Sequence, residues 1–160
     1  MTPNDLIAGG HRMARQLLHR MVDDLSPAEF RHQPVPGANS AAWVVGHLAL
    51  TARRTAERLG ATDLPAVPPG LADRLTVTKQ PAGDQADLGD PAGLLRLFDA
   101  CTDKLIEAAR AVSADGLGGP TTAPFATNLG EGLLFLALHV AMHSGQLSTI
   151  RRSLGKPPVA

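Results

Sequence analysis

The sequence lacks several features that mark secreted proteins. Cys101 is the only cysteine among 160 residues, which excludes an internal disulfide and makes a reducing cytoplasm the expected location. A charged residue, Asp5, stands close to the start, and no compact apolar segment follows it. The first residues therefore predict no signal peptide.

The sequence also lacks an excess of charge of either sign and a long hydrophobic run. Lys and Arg together number 15, Asp and Glu number 15, and the formal net charge is zero. Nucleic acids and anionic membrane surfaces both select clustered basic residues, so neither is predicted as a partner. The longest apolar run, about residues 132–142, is shorter than the roughly 20 residues that cross a bilayer.

Aromatic residues are scarce, with four Phe, one Trp and no Tyr. The core must then be built from Leu, Ala and Val, which favours helix packing over a β-sandwich. The length suits one compact domain over residues 1–160.

What the sequence does contain is a set of helix signals. Capping residues followed by helical spacing of apolar residues predict four long helices. They cover residues 3–24, residues 41–60 after a cap at Asn39 or Ser40, residues 91–112 after Asp90, and a last helix from a cap at Asn128 to about Leu154. In the first helix, the predicted apolar face contains Leu6, Met13, Leu17, Met21 and Leu25.

Between the second and third helices, residues 60–90 are rich in Pro, Gly and Asp and show no sustained period. Thirty irregular residues are long for a compact domain. They form either a lid or a crossover that lets helices two and three lie non-sequentially, with a short helical turn near 69–75. The predicted fold is an all-α four-helix bundle with a long crossover between helices two and three.

Three histidines stand where a core-facing residue is expected. His139 and His143 are four apart on the last helix, so both point to the same side. His47 lies in the apolar stripe of the second helix. Together they predict a three-histidine site for a divalent metal such as zinc, nickel, iron or copper. The alternative is three core histidines, each bonded to its own carbonyl, because a buried polar group without a partner costs about 1–3 kcal/mol.

Residues one turn from these histidines are candidates for binding a substrate. Trp43 and Thr51 flank His47, and Gln146 follows His143 by three residues. Trp43 either walls a pocket or packs in the core, and Thr51 either bonds a ligand or its own helix. Gln146 is expected to orient a metal ligand or a substrate. Gly46 and Gly145 are expected to allow close helix approach.

Four other residues with reactive or charged side chains are expected to be structural. His11 is expected on a solvated face, and Glu131 is expected to cap its helix rather than act as a base. Arg151, at the end of the last helix, is expected to complement the helix dipole at the surface. Cys101 is expected to be a buried small hydrophobe. No catalytic residue is assigned.

Two stretches carry a resemblance to a known family. NSAAWVVGHLAL, residues 39–50, and HVAMHSGQLSTIRRSLGKP, residues 139–157, resemble the second-helix and fourth-helix motifs of the DinB-like superfamily. The resemblance implies a bundle with a long crossover and a metal, usually nickel or zinc, bound by His47, His139 and His143. It also implies a homodimer.

Proteins of this superfamily include the mycothiol-dependent maleylpyruvate isomerase and bacillithiol S-transferases. The resemblance thus implies a small-molecule substrate and a low-molecular-weight thiol as cosubstrate. We expect a metal-dependent thiol S-transferase for small electrophiles, because the motifs offer no carboxylate beside the histidines to serve as a general base. The alternatives are a metal-dependent hydrolase on the same site and a non-catalytic, metal-braced dimerisation or stress-response module.

Overall fold

The computed structural model describes residues 1–75, 85 and 88–159. Within these residues the chain forms helices and no strand, so the predicted all-α class is confirmed. Four helices are long: α1 (Pro3–Val22), α3 (Ala41–Arg58), α5 (Pro91–Ala111) and α7 (Leu129–Ser153). Three are short: α2 (Pro27–Phe30), α4 (Leu71–Leu75) and α6 (Ala114–Leu117).

The long helices begin where the sequence places a capping side chain. Thr2, Ser40, Asp90 and Asn128 each accept a hydrogen bond from a backbone N–H of the first helical turn. These side chains satisfy donors that have no partner within the helix. Of the two residues considered for the second long helix, Ser40 is the cap.

The order of the helices in space follows from their contacts. Near its start α1 meets the end of α5, where the Asn4 amide donates to the carbonyls of Ala109 and Val112. Near its end α1 meets the end of α7, where Arg151 bonds the carbonyl of Met21. Thus α1 is antiparallel to α5 and parallel to α7.

The long crossover joins two neighbouring helices that run in the same direction. His47 of α3 packs against His143 of α7, while Arg58 reaches Thr122 ahead of the start of α7, so α3 is antiparallel to α7. Consequently α3 is parallel to α5, and these two helices are in direct contact. The crossover is confirmed, but the second and third long helices are neighbours in space, so the expectation that they lie non-sequentially is wrong. It is long because a connection between parallel helices must return along the bundle.

Part of this crossover is fixed to the start of α3. The predicted helical turn near 69–75 is confirmed as α4. The buried Gln85 accepts a hydrogen bond from the Ser40 N–H (2.7 Å) and donates to the carbonyl of Ala38 (3.4 Å). Residues 76–84, 86 and 87 of the predicted loop lie outside the described residues.

The apolar face predicted for α1 is wrong. Leu6 and Met13 are 59% and 71% exposed, and Met21 and Leu25 are only partly buried, because the buried face lies about a quarter of a turn further round the helix. The buried residues are Ile7, Ala8, His11, Ala14, Leu18 and Val22. Their spacing fits the helical repeat as well as the predicted set does, and the neighbouring α7 decides between the two because the buried His11 bonds the Leu133 carbonyl of α7.

Two expectations for the last helix also need revision. The apolar run of residues 132–142 is too short to cross a bilayer, yet the whole of α7 is long and apolar enough to do so. In this structure α7 packs along α1 in the bundle. Arg151 is 4% exposed rather than on the surface. Its guanidinium forms an ion pair with Asp24 and bonds the carbonyl of Met21 at 3.1 Å, which joins the ends of α1 and α7.

Candidate metal centre

The antiparallel packing of α3 on α7 brings His47 to the level of His139 and His143. The Nε2 atoms of His139 and His143 are 3.1 Å apart. The ring of His47 lies 5.3 Å from that of His139 and 5.1 Å from that of His143. One nitrogen from each ring falls within 4.8 Å of the other two. The structure therefore brings the three predicted ligands to one point.

Two of the rings are oriented through their second nitrogen. The Nδ1–H of His143 donates to the Oε1 of Gln146 at 3.0 Å, and the Nδ1–H of His47 donates to the carbonyl of Leu75 at 3.4 Å. Because an oxygen acceptor requires the proton on Nδ1, the lone pair of each ring is on Nε2. Such outer hydrogen bonds are typical of histidines that bind metals.

All three imidazoles favour the neutral form. Burial, followed by the charges of His143 and His47, lowers the pKa of His139 to about 4. Burial also lowers the pKa of His47 and that of His143. A proton on any one ring would lie beside two other bases in a partly desolvated place, so neutral rings with available lone pairs are expected at pH 7.

The donor set fits a divalent transition metal. Two nitrogens each 2.0–2.1 Å from one tetrahedral zinc stand about 3.3 Å apart, close to the 3.1 Å between the Nε2 atoms of His139 and His143. Without a metal, a neutral His139 with its proton on Nε2 would donate to the Nε2 lone pair of His143 at this distance. His11 shows the core-histidine alternative, because its Nε2 bonds the carbonyl of Leu133 at 3.0 Å.

The walls of the site come from residues one turn away on the same helices. Trp43, 8% exposed, stacks on His47 with ring centres 4.7 Å apart and planes 10° apart. It therefore packs in the core and walls the site at once. The Thr51 hydroxyl donates to the His47 carbonyl at 2.9 Å, which is the bond to its own helix. Gln146 contacts His143 directly.

The two glycines differ. A Cβ on Gly46 would stand 2.6 Å from the Leu75 side chain, so Gly46 lets α4 approach α3 as expected. A Cβ on Gly145 would meet nothing within 4 Å, so the close approach expected there is wrong.

Sequence reasoning missed three contributors to this region. Phe135 stacks on His139 with ring centres 6.3 Å apart, the Leu75 carbonyl holds His47, and the buried His11 lines a small cavity together with His139. Phe135 precedes His139 by four residues, and that spacing was a signal for it. His11 belongs to the repeat 7, 11, 14, 18, which was overlooked in favour of the wrong face of α1. Nothing in the sequence indicates the role of the Leu75 carbonyl, because every residue has a backbone carbonyl.

Comparison with known proteins places this geometry in a family. The family model described as the DinB superfamily matches residues 11–147, which include all three histidines. The chain belongs to the DinB superfamily. A solved structure, the conserved protein of locus from Enterococcus faecalis, superposes with a TM-score of 0.75 at 17% identity, covering 98% of this chain and 99% of that chain. At this identity it supports the DinB-like fold alone. None of the curated proteins matches in sequence.

In this member of the DinB superfamily, other reactive side chains are engaged elsewhere. Glu131 accepts hydrogen bonds from the backbone N–H and the hydroxyl of Thr127, at 2.7 and 2.8 Å, so it is engaged at the start of α7, where it bonds the residue before the Asn128 cap rather than the cap itself. Cys101 is fully buried, and burial raises its thiol pKa to about 11. Among the described residues, the group of convergent metal-binding side chains contains three histidines and no carboxylate.

Proposed function

We propose that this DinB-superfamily protein is a metal-dependent thiol S-transferase that acts on small electrophiles, with His47, His139 and His143 holding zinc or nickel. The proposal is carried by one observation: three neutral imidazoles from two helices direct their nitrogens to one point. His47 and His139 are half-buried rather than enclosed, which leaves an approach for a guest. A purely structural metal site would be closed by four protein ligands.

A divalent cation held by three neutral ligands keeps its positive charge and lowers the pKa of a thiol that reaches it. Neighbouring residues of the chain would orient the metal-binding histidines. Gln146 and the Leu75 carbonyl hold the Nδ1 protons of His143 and His47, so that both rings present Nε2. Trp43 stacks on His47 and limits the rotation of its ring.

Among the described residues no carboxylate joins the three histidines, and this favours thiol transfer over hydrolysis. Hydrolysis benefits from a general base near the attacking water. The closest acidic residue along α7, Glu131, lies eight residues before His139 and is bonded to Thr127. A thiol needs less help, because its ordinary pKa of about 8.5 is already close to neutrality.

The test is a transfer assay with zinc-loaded or nickel-loaded protein. With 1-chloro-2,4-dinitrobenzene as the electrophile, the thiol loses its proton to solvent, a carbon–sulfur bond forms and chloride leaves. We expect turnover with one of bacillithiol, mycothiol or glutathione, and loss of turnover after chelation and in His143→Ala.

The controls separate the alternatives. His32→Ala changes a histidine that bonds Ser153 outside the site and is expected to keep full activity. Metal-bound protein that turns over no thiol would contradict the proposal, and metal-dependent cleavage of an ester without thiol would favour the hydrolase.

A further inference from the structure

A cleft of about 440 Å³ lies beside the histidine site, and its lining includes neighbours of the histidines but not the histidines themselves. One wall follows α3 from Thr51 to Leu59, and the other follows α7 from Leu129 to Leu136. The inner end adjoins the candidate metal centre on both helices. Thr51 comes one helical turn after His47, and Phe135, one turn before His139, stacks on that ring.

The charge of this cleft is one-sided. Arg54 and Arg58 line it, and no acidic residue does. Their neighbour Arg53 forms an ion pair with Glu57 at 3.6 Å. Within the described part of the chain, Arg54 has no ion pair, and the side chain of Arg58 has one hydrogen bond, to the Thr122 hydroxyl at 3.5 Å. Two arginines thus face the cleft without compensating carboxylates.

The rest of the lining is apolar or carries hydroxyls. Leu133, Phe135 and Leu136 form the α7 wall. Across from α3, the Thr121 hydroxyl oxygen accepts a bond from the Ala123 N–H, so its own hydrogen is free to donate. An apolar wall beside two guanidinium groups suits a ligand that has an apolar body and an anionic group at one end.

The position of the arginines gives the ligand a direction. Arg54 follows His47 by seven residues, which is about 10 Å along the helix axis. An anion held by the arginines would therefore point the other end of the ligand toward the histidines.

We propose that this cleft is the electrophile-binding site and that it selects amphipathic organic carboxylates, with Arg54 and Arg58 binding the carboxylate. The inference rests on the proposed function for the identity of the reacting end, but the anion site itself does not need the metal. It assigns specificity to residues outside the two histidine motifs.

The test compares two probes with the same apolar body, 4-phenylbutyrate with its carboxylate and 4-phenylbutyramide with an uncharged amide. Their dissociation constants are measured by calorimetric titration of metal-free protein, so that coordination of the carboxylate by metal cannot contribute. We expect the carboxylate to bind at least about tenfold more tightly than the amide, the range of a charge-assisted hydrogen bond. The preference should shrink as salt increases.

Matched variants locate the effect. The double variant Arg54→Gln, Arg58→Gln should bind both probes equally, with metal content unchanged. The control Arg96→Gln, Arg152→Gln removes the same charge from positions outside the cleft lining and should keep the preference. Equal binding of both probes by the unmodified protein would overturn the proposal, as would equal losses in the two double variants.

The two proposals fail separately. If the protein binds no metal but prefers the carboxylate probe, the anion-site proposal is supported and the transferase proposal is contradicted. If the protein transfers thiols but binds both probes equally, the transferase proposal is supported and the anion-site proposal is contradicted.

Discussion

His47 and Leu75 are linked twice, once through a side chain and once through the backbone. The Nδ1–H of His47 donates to the Leu75 carbonyl at 3.4 Å, and the Leu75 side chain fills the space left by Gly46. The short helix α4 therefore orients a candidate metal ligand from outside the four long helices. This relationship connects the packing of the crossover with the chemistry of the site.

Gly46→Ala should disturb this link. The added methyl would meet the buried Leu75 side chain at 2.6 Å. Overpacking costs about 1–3 kcal/mol, and the better helix propensity of Ala returns up to about 1 kcal/mol. We expect lower stability in urea unfolding and weaker zinc binding. Gly145→Ala is the control: nothing lies within 4 Å, so it should stabilise by about 0.5–1 kcal/mol. Equal effects in both would contradict the account.

Gln146→Leu tests the orientation of His143. The Oε1 of Gln146 accepts the Nδ1–H of His143 at 3.0 Å. Loss of such an outer partner typically weakens metal binding about 10–100-fold. Gln146→Glu keeps an acceptor and should retain the affinity. Competition titrations with a zinc chelator measure both, and unchanged affinity in the Leu variant would show that the bond does not matter.

His11 predicts a pH dependence of stability. Burial lowers its pKa below 6.5 and outweighs the opposing hydrogen bond to Leu133. The unfolded chain then binds a proton more readily than the folded one, so stability falls as the pH drops below about 6.5. The slope is at most about 1.4 kcal/mol per pH unit for one group. Urea unfolding of metal-free protein should show a shallower dependence in His11→Gln, and an unchanged slope would contradict burial of a neutral ring.

The homodimer implied by the resemblance stays a prediction, and the structure offers a face for it. Leu134, Leu138 and Met142 are exposed on α7, and Leu6 and Met13 are exposed on the neighbouring α1. Exposed apolar side chains grouped on neighbouring helices are typical of association surfaces. We expect sedimentation to show a dimer that Leu138→Glu dissociates, while Phe125→Glu, a change at an exposed position outside this face, leaves it intact. A monomer at micromolar concentration would contradict this prediction.

The sequence predicted features whose causes are local. Caps such as Ser40 and Asp90 act on their own first turn, and His139 and His143 share a side because helical spacing requires it. Features that depend on distant partners were missed. Leu6 and Ile7 begin equally regular faces of α1, and the contact with α7 decided between them. Arg151 is buried because Asp24, 127 residues away, meets it in the fold. The Leu75 carbonyl has no signature in any side chain.

The central claim is that three histidines from α3 and α7 hold one metal ion. Its direct test is the metal content of purified protein, measured by mass spectrometry alongside His47→Ala, His139→Ala, His143→Ala and the control His32→Ala. We predict about one zinc or nickel ion per chain in the unmodified protein and in the control, and a large loss in each of the other three. Metal content unchanged in those three variants, or absent from the unmodified protein after loading, would contradict the account.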